Sequence, residues 1–368
     1  MKRKKLALFF GGRSGEHVVS LRSAESIMKA VNTDKYEIIP VGITREGSWF
    51  AGSDAWLSLW ERRAPRDAFP AVMLTDPGRP GLMIQSDESP HQWRYQPLDL
   101  AFPVLHGTYG EDGTLQGLFE MAGLPYVGSG VLASSTGMDK VVMKILFKSF
   151  GLPVAPYLFF YRWQWFGSEQ EWIKRCGSEI GYPCFVKPAN LGSSVGISKA
   201  KNAEDLAGAI EEAFLYDDKI IIESYVDGRE IECSVLGDIS AEASRPGEVV
   251  PCNEFYDYRA KYLDDRSELV IPVELGSELE EQIRQLSVKA FYAVEASGLA
   301  RVDFFLGRND GTIIINEINT LPGFTSISMY PKMWEASGVS YSDLVAKLLE
   351  LAETRHLRRQ GLLAAPPE

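Results

Sequence analysis

At 368 residues the chain exceeds what one hydrophobic core sustains, roughly 250 to 300 residues, so it divides into two or three domains. A composition of 45% hydrophobic and 24% charged residues is that of an ordinary soluble globular protein and excludes disorder and coiled coil, while a net charge of -12 with scattered basic residues excludes a nucleic-acid surface. No apolar run approaches the roughly 20 residues needed to cross a bilayer. In chain order, Lys2 to Lys5 reads as the solvated start of a buried strand, because the apolar run Leu6 to Phe10 is too short for a signal peptide and ends in Gly11-Gly12. A helical pattern from Ser20 to Val31 and a strand from Glu37 to Ile43 follow, which predicts a βαβ unit in a parallel sheet. Gly11, Gly12 and Gly15 do not form a GxGxxG fingerprint, so a dinucleotide site is not indicated.

From Ala51 to Gln96 the prolines and glycines predict loops and edge strands. Leu98 to Leu105 is a strand that delivers His106 and the run Gly110-Glu111-Asp112-Gly113 at its C-terminal end, where open α/β sheets bind ligands. A helix from Asp139 to Phe150 precedes Gly151-Leu152-Pro153, and strands are expected at Cys184 to Lys187, Ile220 to Glu223, Glu230 to Leu236, Ala300 to Leu306 and Thr312 to Ile318. Ser340 is the expected N-cap of a last helix, Tyr341 to Thr354. The domains are placed at residues 1–138, 139–226 and 227–368. Cys176, Cys184, Cys233 and Cys252 lack the spacing of a zinc site or a disulfide framework and read as reduced thiols of a cytoplasmic protein.

The run Ala300 to Thr320 reads as a β-hairpin around Asn309-Asp310-Gly311, expected as a three-residue loop with a bulge. With Asp310 at its centre, Asp303 opposes Glu317 and Arg301 opposes Asn319, which gathers four polar groups on one patch. Opposed carboxylates need a cation between them. Arg301 supplies one as a salt-bridge cluster; the small, backbone-exposing run Asn319 to Gly323 favours Mg²⁺ on Asp303, Glu317 and Asn319 instead, an oxygen-only set that phosphate and water complete. Gly192-Ser193-Ser194-Val195-Gly196 reads either as a flap whose backbone N–H groups close over phosphate or as a plain hairpin turn. Lys187, in a buried-looking strand, and Lys140 either snorkel outward or meet an anion.

These segments, with Gly11-Gly12-Arg13-Ser14-Gly15-Glu16, His106-Gly107, Met138-Asp139-Lys140, Tyr258 to Tyr262 and Asn316 to Thr320 with Pro322-Gly323, occur in an order that resembles the D-alanine:D-alanine ligases of the ATP-grasp superfamily over nearly the whole chain. The resemblance implies a three-domain α/β ATP-grasp fold with an N-terminal Rossmann-like parallel-sheet domain, ATP and two Mg²⁺ (or Mn²⁺), a cytoplasmic homodimer, and ligation of two D-alanines through a D-alanyl phosphate for peptidoglycan precursors. It assigns phosphate to Lys140, Lys187, Ser193, Ser194 and Lys261, and adenine to Glu223, Tyr225 and Val226. Ribose falls to Glu230, further nucleotide contact to Asn316 and Glu317, and metal to Asp303, Glu317 and Asn319. Glu16 is implied at the first substrate's ammonium, His106 near its carboxylate, Ser328 at the second carboxylate, and Arg301 with the N–H of Gly323 at the oxyanion. Glu16, Ser193 and Tyr262 are implied to link the lobes; Glu16 also suits a helix N-terminus electrostatically. Tyr262, where D-lactate-forming relatives carry histidine, favours a dipeptide product, with a D-alanine:D-serine or D-alanine:D-lactate ligase as the alternative.

Overall fold

The computed structural model describes residues 2–87, 89, 91–250 and 268–362. The first sheet comprises β1 (Lys4–Gly11), β2 (Tyr36–Ile43), β3 (Trp49–Gly52), β4 (Ala68–Leu74), β5 (Gly81–Gln85), β6 (Trp93–Pro97) and β7 (Leu100–Pro103), in the order β6-β5-β4-β3-β2-β1-β7. β1 runs parallel to both β2 and β7, as expected of a βαβ unit, with the helix His17–Ala30 as the crossover. The Pro- and Gly-rich stretch read as loops and edges instead extends this sheet antiparallel through β3 to β6. Short strands joined by hairpins give little continuous apolar signal, which is why they were hard to see in the sequence.

A second sheet holds β8 (Tyr157–Tyr161), β9 (Cys184–Pro188), β10 (Ser198–Ala200) and β11 (Lys219–Ser224), in the order β10-β9-β11-β8. The third holds β12 (Gly228–Gly237), β13 (Ala241–Ala243), β14 (Gly247–Val250), β15 (Glu268–Val270), β16 (Gly298–Gly307) and β17 (Ile313–Asn319), in the order β15-β14-β12-β16-β17, with β13 on β12. Its two long neighbours, β12 and β16, pair over their whole length.

Packing crosses the boundaries expected from the sequence. Leu6, Leu8 and Phe10 of β1 share a core with Leu344, Leu348 and Leu349 of the last helix, Tyr341–Gln360, whereas Ala7 and Phe9 face the opposite layer. Covering both faces explains the unbroken apolar run of β1. The last helix is capped by Ser340, whose hydroxyl accepts from Asp343 N at 3.2 Å. In the same way, Met143 and Phe147 of the helix Lys140–Ser149 pack with Val302, Ile315 and Ile318, so the first helix of the expected central region rests on the third sheet. Cys176, Cys184 and Cys233 are buried free thiols, and among the described residues no helix is long and apolar enough to span a membrane.

The β16–β17 hairpin has the inner register read from the sequence: Asp303 opposes Glu317 and Arg301 opposes Asn319. Its turn differs. The outer pairs Leu306–Ile313, Phe305–Ile314 and Phe304–Ile315 leave a four-residue loop, Arg308 to Gly311, centred between Asn309 and Asp310. A register shift at Asp303/Phe304, where Asn316 is the extra residue, restores the inner pairing. Burial along β17 records this, since Ile315 and Ile318 are buried and Asn316 and Glu317 between them are both partly exposed.

Candidate active site

Two cavities meet along the cleft between the sheets. The smaller, about 420 Å³, is lined by Phe185, Tyr225 and Val226 at its apolar end, by Glu230 beyond, and by Lys140, Lys144 and Lys187 at its other end. The larger, about 740 Å³, contains Glu16, His106, Arg301, Gly323 and Ser328. Lys140, Leu191, Gly192, Ser193, Val249 and Glu317 line both, so the two adjoin, for the most part beside the lysines of the first.

The lysine cluster arises from two elements. Lys140 and Lys144 are four residues apart on one helix and therefore share a face, and Lys187 projects from β9. Lys144 Nζ lies 2.6 Å from Glu223 Oε1, and Lys187 Nζ lies 2.6 Å from Glu223 Oε2. Lys144 also donates to the carbonyl of Asn316 at 2.8 Å, the carbonyl that the bulge in β17 turns out of the ladder. Lys140 donates to Leu191 O at 2.6 Å and stands 3.9 Å from Glu317. Burial alone would raise the Glu223 carboxyl, but Lys144 and Lys187 hold it down at about 2. The same burial lowers Lys140 and Lys144 against the pull of Glu317 and Glu223; at Lys187 it is outweighed by Glu223, which raises that lysine. Three lysines against two carboxylates leave an excess of positive charge suited to phosphate.

Over this cluster lies the turn between β9 and β10. Ser193 and Ser194 both have positive φ, 54° and 57°, a conformation that costs a side-chain-bearing residue about 1 to 3 kcal/mol and that concentrates at ligand clamps. Val195 N donates to Gly192 O at 3.3 Å, so Ser193 and Ser194 are the central residues of a tight turn that lines both cavities, a geometry open to both readings of Gly192 to Gly196.

On the third sheet the polar face of β12 carries Glu230 into the smaller cavity and Glu232 into the larger. Glu232 opposes Asp303, which opposes Glu317, so three carboxylates form a row across β12, β16 and β17. Arg301 answers two of them: Nε is 2.7 Å from Asp303 Oδ1 and 3.0 Å from Glu232 Oε2, and Nη2 donates to Asp303 Oδ2 at 2.7 Å. Burial opposes the guanidinium charge, but Asp303 and Glu232 keep it firmly protonated. Asn319 Nδ2 donates to Asp303 Oδ2 at 3.0 Å. Among the described residues no group of three His, Cys, Asp or Glu side chains is close enough to hold one ion unaided. Two neighbouring carboxylates and an amide oxygen fit Mg²⁺, which keeps water and phosphate in its remaining positions.

Glu16 sits at the N-cap of the helix His17–Ala30 but makes no side-chain cap bond, and it faces the larger cavity. Its Oε2 lies 3.3 Å from where a Cβ on Gly107 would stand and 3.7 Å from the same point on Gly192, so it touches both the β7 loop and the turn between β9 and β10. Gly107 has φ +76°, which favours glycine, and a Cβ there would crowd Ser14 and Glu16. His106 is buried, with Nδ1 3.0 Å from Leu321 O and Nε2 3.4 Å from Ser23 Oγ; burial lowers it, leaving a neutral ring that ties Leu321 to the first helix. Ser328 Oγ accepts from Thr325 N at 3.1 Å and heads the helix Met329–Ala336 beside Gly323. Lys261 and Tyr262 lie outside the described residues.

Two residues of the site escaped the sequence reading, Lys144 and Glu232, and Glu111 was placed at the ligand end of its strand without a role. Lys144 was signalled by its four-residue spacing from Lys140 inside an otherwise apolar helix, and Glu232 by its two-residue spacing from Glu230. Glu111 accepts from Gly107 N at 2.8 Å and is raised to about 8, first by burial and then by Glu16. Its place after the strand marked the run, but its coupling to Glu16, far away in sequence, was not legible.

A cavity with a buried lysine cluster, sharing Lys140, Ser193 and Glu317 with a second, larger one between three sheets, fits an ATP-grasp ligase. Family models described as D-ala D-ala ligase N-terminus and D-ala D-ala ligase C-terminus match residues 5–129 and 146–350. The chain belongs to the D-alanine–D-alanine ligase family. It is 48% identical to the D-alanine–D-alanine ligase of Heliobacterium modesticaldum, over 98% of this chain and 97% of that one, and 46% identical to that of Bacillus velezensis, over 95% and 98%. Among solved structures it resembles the VanG D-Ala:D-Ser ligase from Enterococcus faecalis (TM-score 0.86, 37% identity, 95% of this chain and 100% of that one). It also resembles the D-alanine-D-alanine ligase from Coxiella burnetii (TM-score 0.82, 35% identity, 98% and 97%).

Proposed function

We propose that the chain uses ATP to join two D-alanines into D-alanyl-D-alanine. The observation that carries this reading is the junction of the two cavities at Lys140, Ser193 and Glu317: a triphosphate lying in the smaller cavity ends where a carboxylate in the larger one begins. Adenine packs between Phe185, Tyr225 and Val226 beside Glu223, and Glu230 takes the ribose hydroxyls. Lys140, Lys187, Asn316 and the flap residues Ser193 and Ser194 hold the phosphates, with Lys261 as a further contact. Asp303, Glu317 and Asn319 hold two Mg²⁺, which when bound neutralise charge on the transferring phosphoryl group.

In the larger cavity Glu16 pairs with the ammonium of the first D-alanine, whose carboxylate lies near His106 and accepts the phosphoryl group. The amine of the second D-alanine then attacks the acyl phosphate, displacing phosphate and forming the peptide bond. Arg301 and the N–H of Gly323 stabilise the tetrahedral oxyanion, and Ser328 holds the second carboxylate. Ser193 joins Glu16 and Tyr262 across the closed site. On this reading the protein supplies peptidoglycan precursors in the cytoplasm as a homodimer, which light scattering on the purified protein tests.

The likeness to a D-Ala:D-Ser ligase supports a second reading, in which D-serine is the second amine. A coupled assay of ADP and phosphate release with ATP, Mg²⁺ and D-alanine, repeated with D-serine or D-lactate as second substrate, separates these. The expected result is dipeptide from D-alanine alone. Release only when D-serine is added selects the second reading, and no release with any of them removes both.

A further inference from the structure

We propose that Glu232 is a positioning residue that holds Arg301 when Asp303 turns to a metal ion, so that metal loading and release of Arg301 toward the reacting group are one event. The inference rests on the metal reading above and concerns what this chain's own residues do toward that ion. As the site stands, Asp303 is fully engaged: Arg301 grips both of its oxygens at 2.7 Å, and Asn319 Nδ2 lies 3.0 Å from Oδ2. A cation ligated by Asp303 competes with the guanidinium for the same two oxygens, and Asn319 can join as a ligand only by presenting its carbonyl oxygen in place of its amide nitrogen. Two like charges on one carboxylate repel each other at contact distance.

The displaced guanidinium has a second carboxylate at hand. Glu232 already contacts Nε at 3.0 Å from the adjacent strand, is buried, and opposes Asp303 directly in the ladder. Letting go of Asp303 while keeping Glu232 turns the terminal nitrogens of Arg301 away from the metal side without exposing an unpaired buried charge, which is among the costliest changes a protein interior can undergo. Without Glu232, Asp303 is the one carboxylate left in ion-pair contact with Arg301 among the described residues, and Arg301 competes with the ion for it.

The test is binding of Mn²⁺ with a non-hydrolysable ATP analogue, followed by electron paramagnetic resonance and calorimetry, which reads the metal apart from turnover. Glu232→Gln should weaken Mn²⁺ binding about tenfold, within the range expected of directly coupled neighbours. Arg301→Ala should tighten it, and in that background Glu232→Gln should have little further effect. Glu232→Asp keeps the charge and should retain most of the affinity, which covers the case where the glutamine variant fails to fold. Unchanged Mn²⁺ binding in Glu232→Gln, or an equal loss with and without Arg301, overturns the proposal, the latter because Glu232 then acts through its field alone. Wild-type protein that binds no Mn²⁺ with the analogue overturns the metal reading itself.

Discussion

Glu111 shows how a single side chain registers its surroundings. It is held near about 8 by burial and by Glu16 across the β7 loop. Its folded value lies above the ordinary 4.5, so between these two the folded chain keeps a proton that the unfolded chain has released, and stability falls as pH rises through that window. Glu111→Gln should remove this slope: its melting temperature, measured on either side of the window, should change less with pH than that of the wild type. An unaltered slope would place the titration elsewhere. Glu223 is the opposite case, a buried carboxylate held ionised by two lysines at 2.6 Å. Removing one lysine there leaves poorly compensated buried charge, whereas a surface pair such as Lys29–Glu25 contributes little.

At the scale of the element, the bulge in β17 gives the cleft the backbone carbonyl of Asn316. Deleting Asn316 would close the bulge and keep Glu317 opposite Asp303 and Asn319 opposite Arg301, because the outer register continued inward gives the same pairs, but it would remove the carbonyl that Lys144 uses. Calorimetry should therefore show metal binding largely kept while product formation falls with the disturbed lysine; loss of the metal in the deletion variant would mean that the bulge itself sets the patch. The hairpin also shows what a sequence exposes and what it hides. Alternation in Arg301-Val302-Asp303 and Glu317-Ile318-Asn319 made the polar patch legible, and the reading reached the correct pairs although it centred the turn half a residue away and placed the irregularity in the loop. A bulge has no residue signature of its own in this strand; it shows only as the interval of three between buried Ile315 and Ile318. Likewise Asp303 and Glu317 could be paired from one hairpin, whereas Glu232 joins their row only through a strand some seventy positions earlier in the chain.

For the molecule as a whole, the last helix joins the lobe that precedes it in sequence to the first sheet, since its buried face shares one core with Leu299 and Trp334 and with β1. Leu348 is fully buried and packs with Leu6, Leu8 and Phe10, and Arg355 donates to the carbonyls of Gly128 and Tyr126, the latter at 3.0 Å. Leu348→Ala should destabilise the protein by about 2 to 5 kcal/mol in urea unfolding. Hydrogen exchange should report the loss in β1 and β7, at the other end of the chain, instead of in the third sheet alone. Sequence order suggested three consecutive blocks because apolar periodicity identifies a buried face and not its partner, and the partners of the helices Lys140–Ser149 and Tyr341–Gln360 were therefore beyond reach.

The turn Gly192 to Gly196 forms a wall of both cavities, and this makes it a thermodynamic go-between. Whatever fixes Ser193 and Ser194 from the lysine side alters the surroundings of an amino acid beside Glu16, and the reverse holds to the same degree, because the two binding free energies close a cycle. The factor by which a non-hydrolysable nucleotide sharpens D-alanine binding should thus equal the factor by which D-alanine sharpens binding of that nucleotide. Paired titrations in either order of addition would measure it, and a factor above one in the wild type that falls to one in Ser193→Gly would make this turn the place where each site senses the other.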